Sequence, residues 1–206
     1  SAFQVWGDLY VDNAGRNTLA TTPLLESAVF DSLTVCNHGY MDVLAGIELG
    51  LMTANLSLQD TGRLIVHGKV FREGEIDGWF DTIDVSTTAE LRIGEGAELA
   101  CTQLDVASSG QVWLLAGVTH ALAADQVEIQ DGGMLVLDTA ATFGGMHISS
   151  GGVLTHSSGQ DGFDLTITSD LIVDAGGSLD ATGRGYARGA GPGAGKSGTE
   201  GGGAGY

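Results

Sequence analysis

An eleven-residue pattern occurs eight times along this sequence and narrows the folds that are open to it. The pattern reads aliphatic-x-aliphatic-x-x-x-Gly-x-aliphatic-x-aliphatic, in which x is any residue. Its copies start 19 to 27 residues apart, which indicates similar structural units joined by loops of variable length. The copies begin at Leu9, Leu33, Leu56, Ile83, Leu104, Val127, Met146 and Leu171.

The first and third positions of the pattern are apolar in every copy, and the seventh predicts a turn. The third positions are Val11, Val35, Leu58, Val85, Val106, Ile129, Ile148 and Val173. The seventh position is Ala89 in one copy and otherwise Gly15, Gly39, Gly62, Gly110, Gly133, Gly152 and Gly177. A sharp bend or a positive φ angle at this position would exclude most side chains, so we expect a turn in every copy.

Each copy predicts two short strands around its turn, because apolar residues alternate with other residues on both sides of it. In the first copy, Leu19 falls at the last apolar position of the pattern. A further apolar residue lies five positions before four of the copies and predicts a third strand in each unit. These residues are Ala28, Leu51, Leu99 and Leu122.

The repeat predicts an all-β fold, a single-stranded parallel β-helix (β-solenoid) of about eight coils. We expect it to be right-handed, since right-handed crossovers are the default for parallel strands. The alternative is a meander of hairpins, in which Leu104 and Leu114 would lie on the two strands of one hairpin. Similar residues at the same position of successive copies favour stacked coils, because hairpins do not require that similarity.

Three segments follow from the extent of the repeat. Residues 1–8 are predicted to form an N-terminal cap, in which Phe3 and Trp6 would cover the first coil. The solenoid is expected over residues 9–182. Residues 183–206 contain 11 glycines in 24 residues and predict a Gly-rich linker or a truncated continuation.

Charge and hydropathy exclude several classes of protein. Acidic residues outnumber basic ones 26 to 8, and the net charge of −18 argues against binding to nucleic acid or to an anionic membrane. With 43% hydrophobic residues the chain is too apolar for a disordered acidic polymer, and no apolar run is long enough for a transmembrane segment. The sequence opens at Ser1 without a signal peptide, as expected of a processed chain or an excised fragment, so secretion is an inference.

The second position of the pattern carries ionisable residues in four consecutive copies: Asp84, Asp105, Glu128 and His147. Stacked about 4.8 Å apart, the three carboxylates would repel one another unless a Ca²⁺ ion lay between them or their pKa values rose. Both conditions occur in polysaccharide-cleaving sites, so this column is the candidate catalytic site of a lyase or glycoside hydrolase. The alternative is a solvated acidic face, and a lyase would lack a base unless Arg63 or Arg92 shared that face.

The tenth position predicts an apolar outer column of Ile65, Trp113 and Val136, interrupted by Arg92. A line of exposed apolar side chains suggests that another part of the chain or another protein packs over it. The cover is either the return loop Arg72–Thr82, which contains Trp79 and Phe80, or a neighbouring protein. Trp113 or Trp79 would also serve a carbohydrate-binding module as a stacking platform.

Two cysteines and one histidine have predicted structural roles. Cys36 and Cys101 lie about three coils apart, roughly 14 Å, which is too far for a disulfide, so we expect free thiols. His156 occupies an inward position and is predicted to be a hydrogen-bonded interior residue.

The sequence of residues 127–206 resembles segments of very long secreted bacterial surface proteins. The resemblance lies in "VEIQDGGMLVL", "MHISSGGVLTHSSG", "LTITSDLIVDAGGSLDATGRGY" and "GPGAG…GGGAGY", in which β-helical stretches lead into Gly-rich runs. Residues 9–126 are similar to such stretches in their repeat pattern. The pectin-lyase-like β-helix superfamily shares this architecture, but its catalytic Asp, Arg and Lys signatures have no matching positions here.

The resemblance implies a secreted or cell-surface protein, and the repeat favours a non-catalytic structural or adhesive module. Its expected partners are neighbouring domains of the same large chain or identical subunits, with polysaccharide as a further candidate. The alternatives are a polysaccharide lyase or glycoside hydrolase on the acidic column and a carbohydrate-binding module. We expect no cofactor except, in the enzyme alternative, Ca²⁺ at Asp84, Asp105 and Glu128.

Overall fold

The computed structural model describes residues 5–16, 20–115, 121–159 and 162–187. These residues form an all-β structure without helices. The strands in chain order are β1 (Val5–Trp6), β2 (Leu9–Asp12), β3 (Thr22–Leu24), β4 (Ala28–Phe30), β5 (Leu33–Cys36), β6 (Tyr40–Val43), β7 (Glu48–Leu51), β8 (Asn55–Leu58), β9 (Arg63–Val66), β10 (Lys69–Arg72), β11 (Phe80–Val85), β12 (Glu90–Ile93), β13 (Glu98–Val106), β14 (Gln111–Leu114), β15 (Ala121–Ile129), β16 (Met134–Leu137), β17 (Ala141–Phe143), β18 (Gly145–Ile148), β19 (Val153–Thr155), β20 (Leu165–Ile167), β21 (Leu171–Val173) and β22 (Ser178–Asp180).

Each coil contributes one strand to each of three faces, and the strands stack in parallel along every face. The first face consists of β2, β5, β8, β11, the second half of β13, the second half of β15, β18 and β21. The second face runs in the order β3, β6, β9, β12, β14, β16, β19 and β22. The third face consists of β1, β4, β7, β10, the first halves of β13 and β15, β17 and β20. The predicted parallel β-solenoid is therefore confirmed, with about seven turns.

The register of the strands follows the sequence repeat. Leu104 lies between Ile83 and Val127 on the first face, so the hairpin alternative, which would pair β13 with β14, is wrong. The predicted third strand is also present, since Leu99 and Leu122 are register partners on the third face. Its remaining predicted members, Ala28 and Leu51, lie in β4 and β7.

The first coil departs from the predicted register. Leu24 pairs with Val43 and occupies the position that the sequence pattern assigned to Leu19. Leu19 itself lies outside the described residues. The reason is a longer connection after the first turn, which moves the start of β3 to Thr22.

The interior is a continuous column of apolar side chains from all three faces. Phe80 and Phe143 are the largest of the fully buried side chains. Each buried Val, Leu or Ile contributes about 1.5–3 kcal/mol relative to an exposed one, so repetition of the same columns stabilises every coil.

Cys36 and Cys101 are free thiols, as predicted, and both are buried; His156, the predicted interior residue, is buried as well. Burial, with smaller contributions from the charges of Asp105 and Asp125, raises the pKa of the Cys101 thiol to about 12. The His156 Nδ1 atom lies 2.9 Å from the backbone oxygen of Ser157. The predicted roles of these three residues are confirmed.

At six of the eight turns, a close approach between coils requires the glycine: Gly39, Gly62, Gly110, Gly133, Gly152 and Gly177. A Cβ atom added to Gly110 would lie 1.9 Å from the carbonyl oxygen of Val85, on the coil before. The positive φ angles fall one and two residues earlier, at Ser108 (49°) and Ser109 (69°). Of the two reasons expected for glycine, the positive φ applies to Gly15, at 72°, whereas Gly110 lies in a turn without a positive φ.

The two ends of the sequence are described in part. Trp6 lies in β1, which pairs with β4 and so forms the first strand of the third face. Phe3, the other residue of the predicted N-terminal cap, lies outside the described residues. Residues 183–187 follow β22, whereas residues 188–206 of the predicted Gly-rich segment lie outside the described part.

Candidate functional site

The acidic column predicted from the sequence is a continuous ladder on the outside of the first face. Asp84 pairs with Asp105, Asp105 with Glu128, and Glu128 with His147. Ser57 precedes this ladder and Ile172 follows it. The four residues named by the sequence pattern are therefore neighbours on successive coils.

Each member of the acidic column has its own surroundings. Burial raises the pKa of the Asp84 carboxyl above its ordinary value, as does the charge of Asp105, while hydrogen bonds with Ser86 and Ser57 lower it. Gln103 Nε2 donates to Asp105 Oδ1 over 2.8 Å. Asp84 is thus a partly buried carboxyl group with a raised pKa beside a second carboxyl group on the next coil.

His147 joins the lower part of the column to the last coil. Its Nε2 atom lies 3.0 Å from Asp174 Oδ2, and its Nδ1 atom lies 3.9 Å from Glu128 Oε1. A protonated His147 would therefore pair with Glu128 on the coil before and with Asp174 at the end of β21 on the coil after. This arrangement links neighbouring coils and leaves Asp84 and Asp105 without a histidine partner in the described contacts.

Calcium at Asp84, Asp105 and Glu128 finds no support in the arrangement of ligands. Across the described ranges, no three His, Cys, Asp or Glu side chains converge closely enough to hold a metal ion. Ca²⁺ takes six to eight oxygen ligands, which a single column along one flat ladder does not gather.

The second face carries the predicted apolar outer column. Ile65, Arg92, Trp113 and Val136 follow one another in register. The Arg92 guanidinium lies 5.3 Å from the centre of the Trp113 ring, and the Trp113 Nε1 atom donates to Gln111 Oε1 over 3.1 Å. Trp113 is thus engaged by its own neighbours, which reduces the ring surface open to a sugar.

The expectation that Val136 is exposed is wrong, because its side chain is 1% exposed. Val136 lies in register between Trp113 and Thr155. Thr155 is itself buried, and its hydroxyl donates to the backbone oxygen of Asp180. Val136 therefore adds no exposed apolar surface to the outer column.

The arginines considered for a lyase lie on the second face, whereas the acidic column lies on the first. Glu90 holds both of them, at 2.7 Å from Arg63 and 2.8 Å from Arg92. Arg63 also lies over the ring of Tyr40, at 4.5 Å. Arg63 and Arg92 thus form an ion and cation–π network that joins three coils, and they do not complete a catalytic set with Asp84.

One alternative expected the return loop Arg72–Thr82 to cover the outer column with both of its aromatic residues. The structure does not show this. Phe80 begins β11 and is 0% exposed, because it packs into the interior. Arg72 binds Glu75 over 3.2 Å and Asp81 over 2.9 Å, so the loop is held against itself. Trp79 lines an open groove of about 360 Å³ with Arg72, Glu75, Asp77, Phe80, Asp81, Thr102 and Asp125.

The two end coils carry most of the exposed large apolar side chains. Among the described residues, ten such side chains are exposed, and only Met52 and Ile76 lie between the end coils. The other eight are Trp6, Tyr10 and Leu25 in the first coil and Leu171, Ile172, Val173, Leu179 and Tyr186 in or just after the last. The sequence pattern counted Leu171, Val173 and Leu179 as interior residues and gave no sign that the last coil would leave them uncovered.

The first coil also contains an apolar groove, with a volume of about 740 Å³. It runs between the second and third faces at that end of the solenoid. Trp6, Leu24, Leu25 and Phe30 are among the residues that line it. Both ends of the described structure therefore expose apolar surface. Monomeric soluble proteins rarely expose large apolar patches.

Comparisons with known proteins find no match. No family model matches this chain, no curated protein is similar to it, and no solved structure matches it. The described residues contain no helix that is both long and apolar enough to cross a membrane.

Proposed function

We propose that this chain is a non-catalytic structural β-solenoid module of a larger extracellular surface protein or fibre, and that it joins other β-structure through its ends. The observation that carries the proposal is that Leu171, Val173 and Leu179 lie at inward positions of the last coil and are nevertheless 42–46% exposed. A site for chemistry would instead gather its groups beside a groove.

The secreted or cell-surface location rests on the resemblance of residues 127–206 to segments of secreted bacterial surface proteins. Free cysteines and a continuous apolar interior are consistent with a module that needs neither disulfides nor metals to fold. A net charge of −18 favours solubility of such a rod and opposes binding to anionic partners.

The enzyme alternative is tested on the acidic column. We expect the chain to produce no new reducing ends and no unsaturated uronate absorbance from a panel of neutral and acidic polysaccharides. The triple variant Asp84→Asn, Asp105→Asn, Glu128→Gln should behave identically, because Arg63 and Arg92 are held by Glu90 on another face. Turnover by the wild-type chain that the triple variant loses would overturn the proposed function.

A carbohydrate-binding module is the second candidate, since Trp79 lines a groove with several polar side chains. Aromatic rings beside polar groups are common at sugar-binding sites. The same polysaccharides test this candidate in a binding assay. A carbohydrate-binding module would bind one of them without turnover, and Trp79→Ala would abolish that binding.

A further inference from the structure

The groove beside Trp79 lies in the middle of the solenoid, at the corner between the third and first faces. Its volume of about 360 Å³ is within the range of small-ligand sites. Asp81, Thr102 and Asp125 follow one another along three successive coils and form one side of it, since each lies between residues that pair in register. Successive coils are about 4.8 Å apart, so this side of the groove runs along the solenoid for about 10 Å.

The loop between β10 and β11 forms the other side and is held in place by its own contacts. Arg72 binds both Glu75 and Asp81. The backbone N–H of Trp79 donates to Asp77 Oδ1 over 3.1 Å. The groups that line the groove are thus positioned before a ligand arrives, which lowers the entropic cost of binding.

The charge of the groove favours a cationic ligand. Four carboxylates, those of Glu75, Asp77, Asp81 and Asp125, line it with one guanidinium, that of Arg72, so its formal charge is −3. Arg72 is already shared by Glu75 and Asp81, whereas no residue of the described ranges forms a hydrogen bond or an ion pair with the Asp125 carboxylate. An anionic ligand is therefore repelled, and a cation is attracted towards Asp125.

Trp79 supplies the aromatic part of the groove. Its side chain is half-buried, and its indole N–H has no acceptor among the described residues. A tryptophan ring packs against apolar surface with its face, donates a hydrogen bond from its N–H and attracts cations. These properties suit a ligand that combines an apolar ring face, hydroxyl groups and a positive charge.

We infer that this groove binds an amino sugar, the repeating unit of a cationic polysaccharide. The ammonium group pairs with Asp125, the sugar ring packs on Trp79, and the Asp77 carboxylate accepts hydrogen bonds from sugar hydroxyls. A basic peptide fits less well, because a lysine carries its charge on a long apolar stem and six of the eight lining residues have polar side chains. The inference goes beyond the proposed structural function, since it gives the module an adhesive site and names the ligand class.

The first test compares two ligands that differ in their amino groups alone. A short oligosaccharide of glucosamine should bind in isothermal titration calorimetry, and its N-acetylated form should bind at least about tenfold more weakly. Measurements at about pH 5.5 keep the aspartates and the amines charged, and about 0.15 M salt screens distant charges. Equal affinities, or no binding of the glucosamine form, would overturn the inference.

The second test locates the contact in the groove. Asp125→Asn should weaken binding of the glucosamine oligosaccharide about fivefold, and Trp79→Ala about tenfold. Glu95→Gln removes the same charge at an exposed position elsewhere on the solenoid, so it is the matched control and should leave the affinity unchanged. Equal effects of Asp125→Asn and Glu95→Gln would show attraction by the net charge of −18 alone, and the groove would not be the site.

A lysine oligopeptide of the same length distinguishes the two kinds of cationic ligand. It should bind more weakly than the glucosamine oligosaccharide and without dependence on Trp79. Tighter binding of the peptide that Trp79→Ala abolishes would assign the groove to a basic protein partner and overturn the amino-sugar assignment. Failure of these tests leaves the structural function standing, whereas turnover that depends on the acidic column overturns that function whatever the groove binds.

Discussion

Replacing Phe80 by alanine is expected to lower the free energy of unfolding by about 3–5 kcal/mol. Phe80 is fully buried and is one of the two largest side chains in the interior. Its removal would leave a cavity that stacked coils cannot close without shifting the register of β11 between β8 and β13. Urea unfolding followed by circular dichroism measures the loss as a lower midpoint at an unchanged slope.

Trp79→Ala is the matched control for Phe80→Ala, because the two aromatic residues are adjacent in sequence and differ in burial. Trp79 lines an open groove, so its truncation should cost much less than that of Phe80. If the two variants were equally unstable, the placement of Phe80 in the interior would be wrong and the return loop would carry both rings.

The second large effect is expected for Gly110→Ala, at about 3 kcal/mol of lost stability. The added Cβ atom would lie 1.9 Å from the carbonyl oxygen of Val85 and 2.9 Å from that of Ala107. Neither is the end of a flexible side chain, so the backbone of a turn has to move. Thermal or urea unfolding of the variant measures the cost.

Gly7→Ala provides the comparison, because a Cβ atom there meets no heavy atom within 4 Å. Its effect on the free energy of unfolding should stay within about 0.5 kcal/mol, as for most surface substitutions. Similar losses from Gly7→Ala and Gly110→Ala would contradict the close approach between coils. Ala89, in the same column as Gly110, shows that one coil already accommodates a methyl group.

Much of the fold could be predicted because parallel stacking brings the same position of each repeat together. The prediction that Ile83, Leu104 and Val127 form one column follows from that rule and is confirmed by their register. The reason for the glycine in most turns could not be predicted in this way. A side chain is excluded there by a carbonyl oxygen of the coil before, and a sequence pattern does not reveal that contact.

The candidate site was less predictable because it depends on contacts between different columns. Asp84 and Asp105 were correctly placed as neighbours, since both occupy one column. The salt bridges of Glu90 with Arg63 and Arg92 join two columns of the second face. The repeat pattern describes each column by itself, so it does not predict such contacts.

The exposure of the last coil could not be predicted from the repeat either. A repeat pattern assigns Leu171 to the interior by its position, but burial requires a coil on each side. The first coil likewise leaves the inward residues Leu9 and Val11 only partly buried. The ends are therefore the part of the molecule where the pattern and the observed surface differ most.

Amide hydrogen exchange along the chain tests the central claim, that stacked parallel coils bury one continuous apolar interior. We predict that the protection of backbone amides is highest in the middle strands β12 and β14 and falls towards β2 and β21, because the middle coils are covered on both sides. Equal protection along the chain, or protection that is highest in the end strands, would contradict the account.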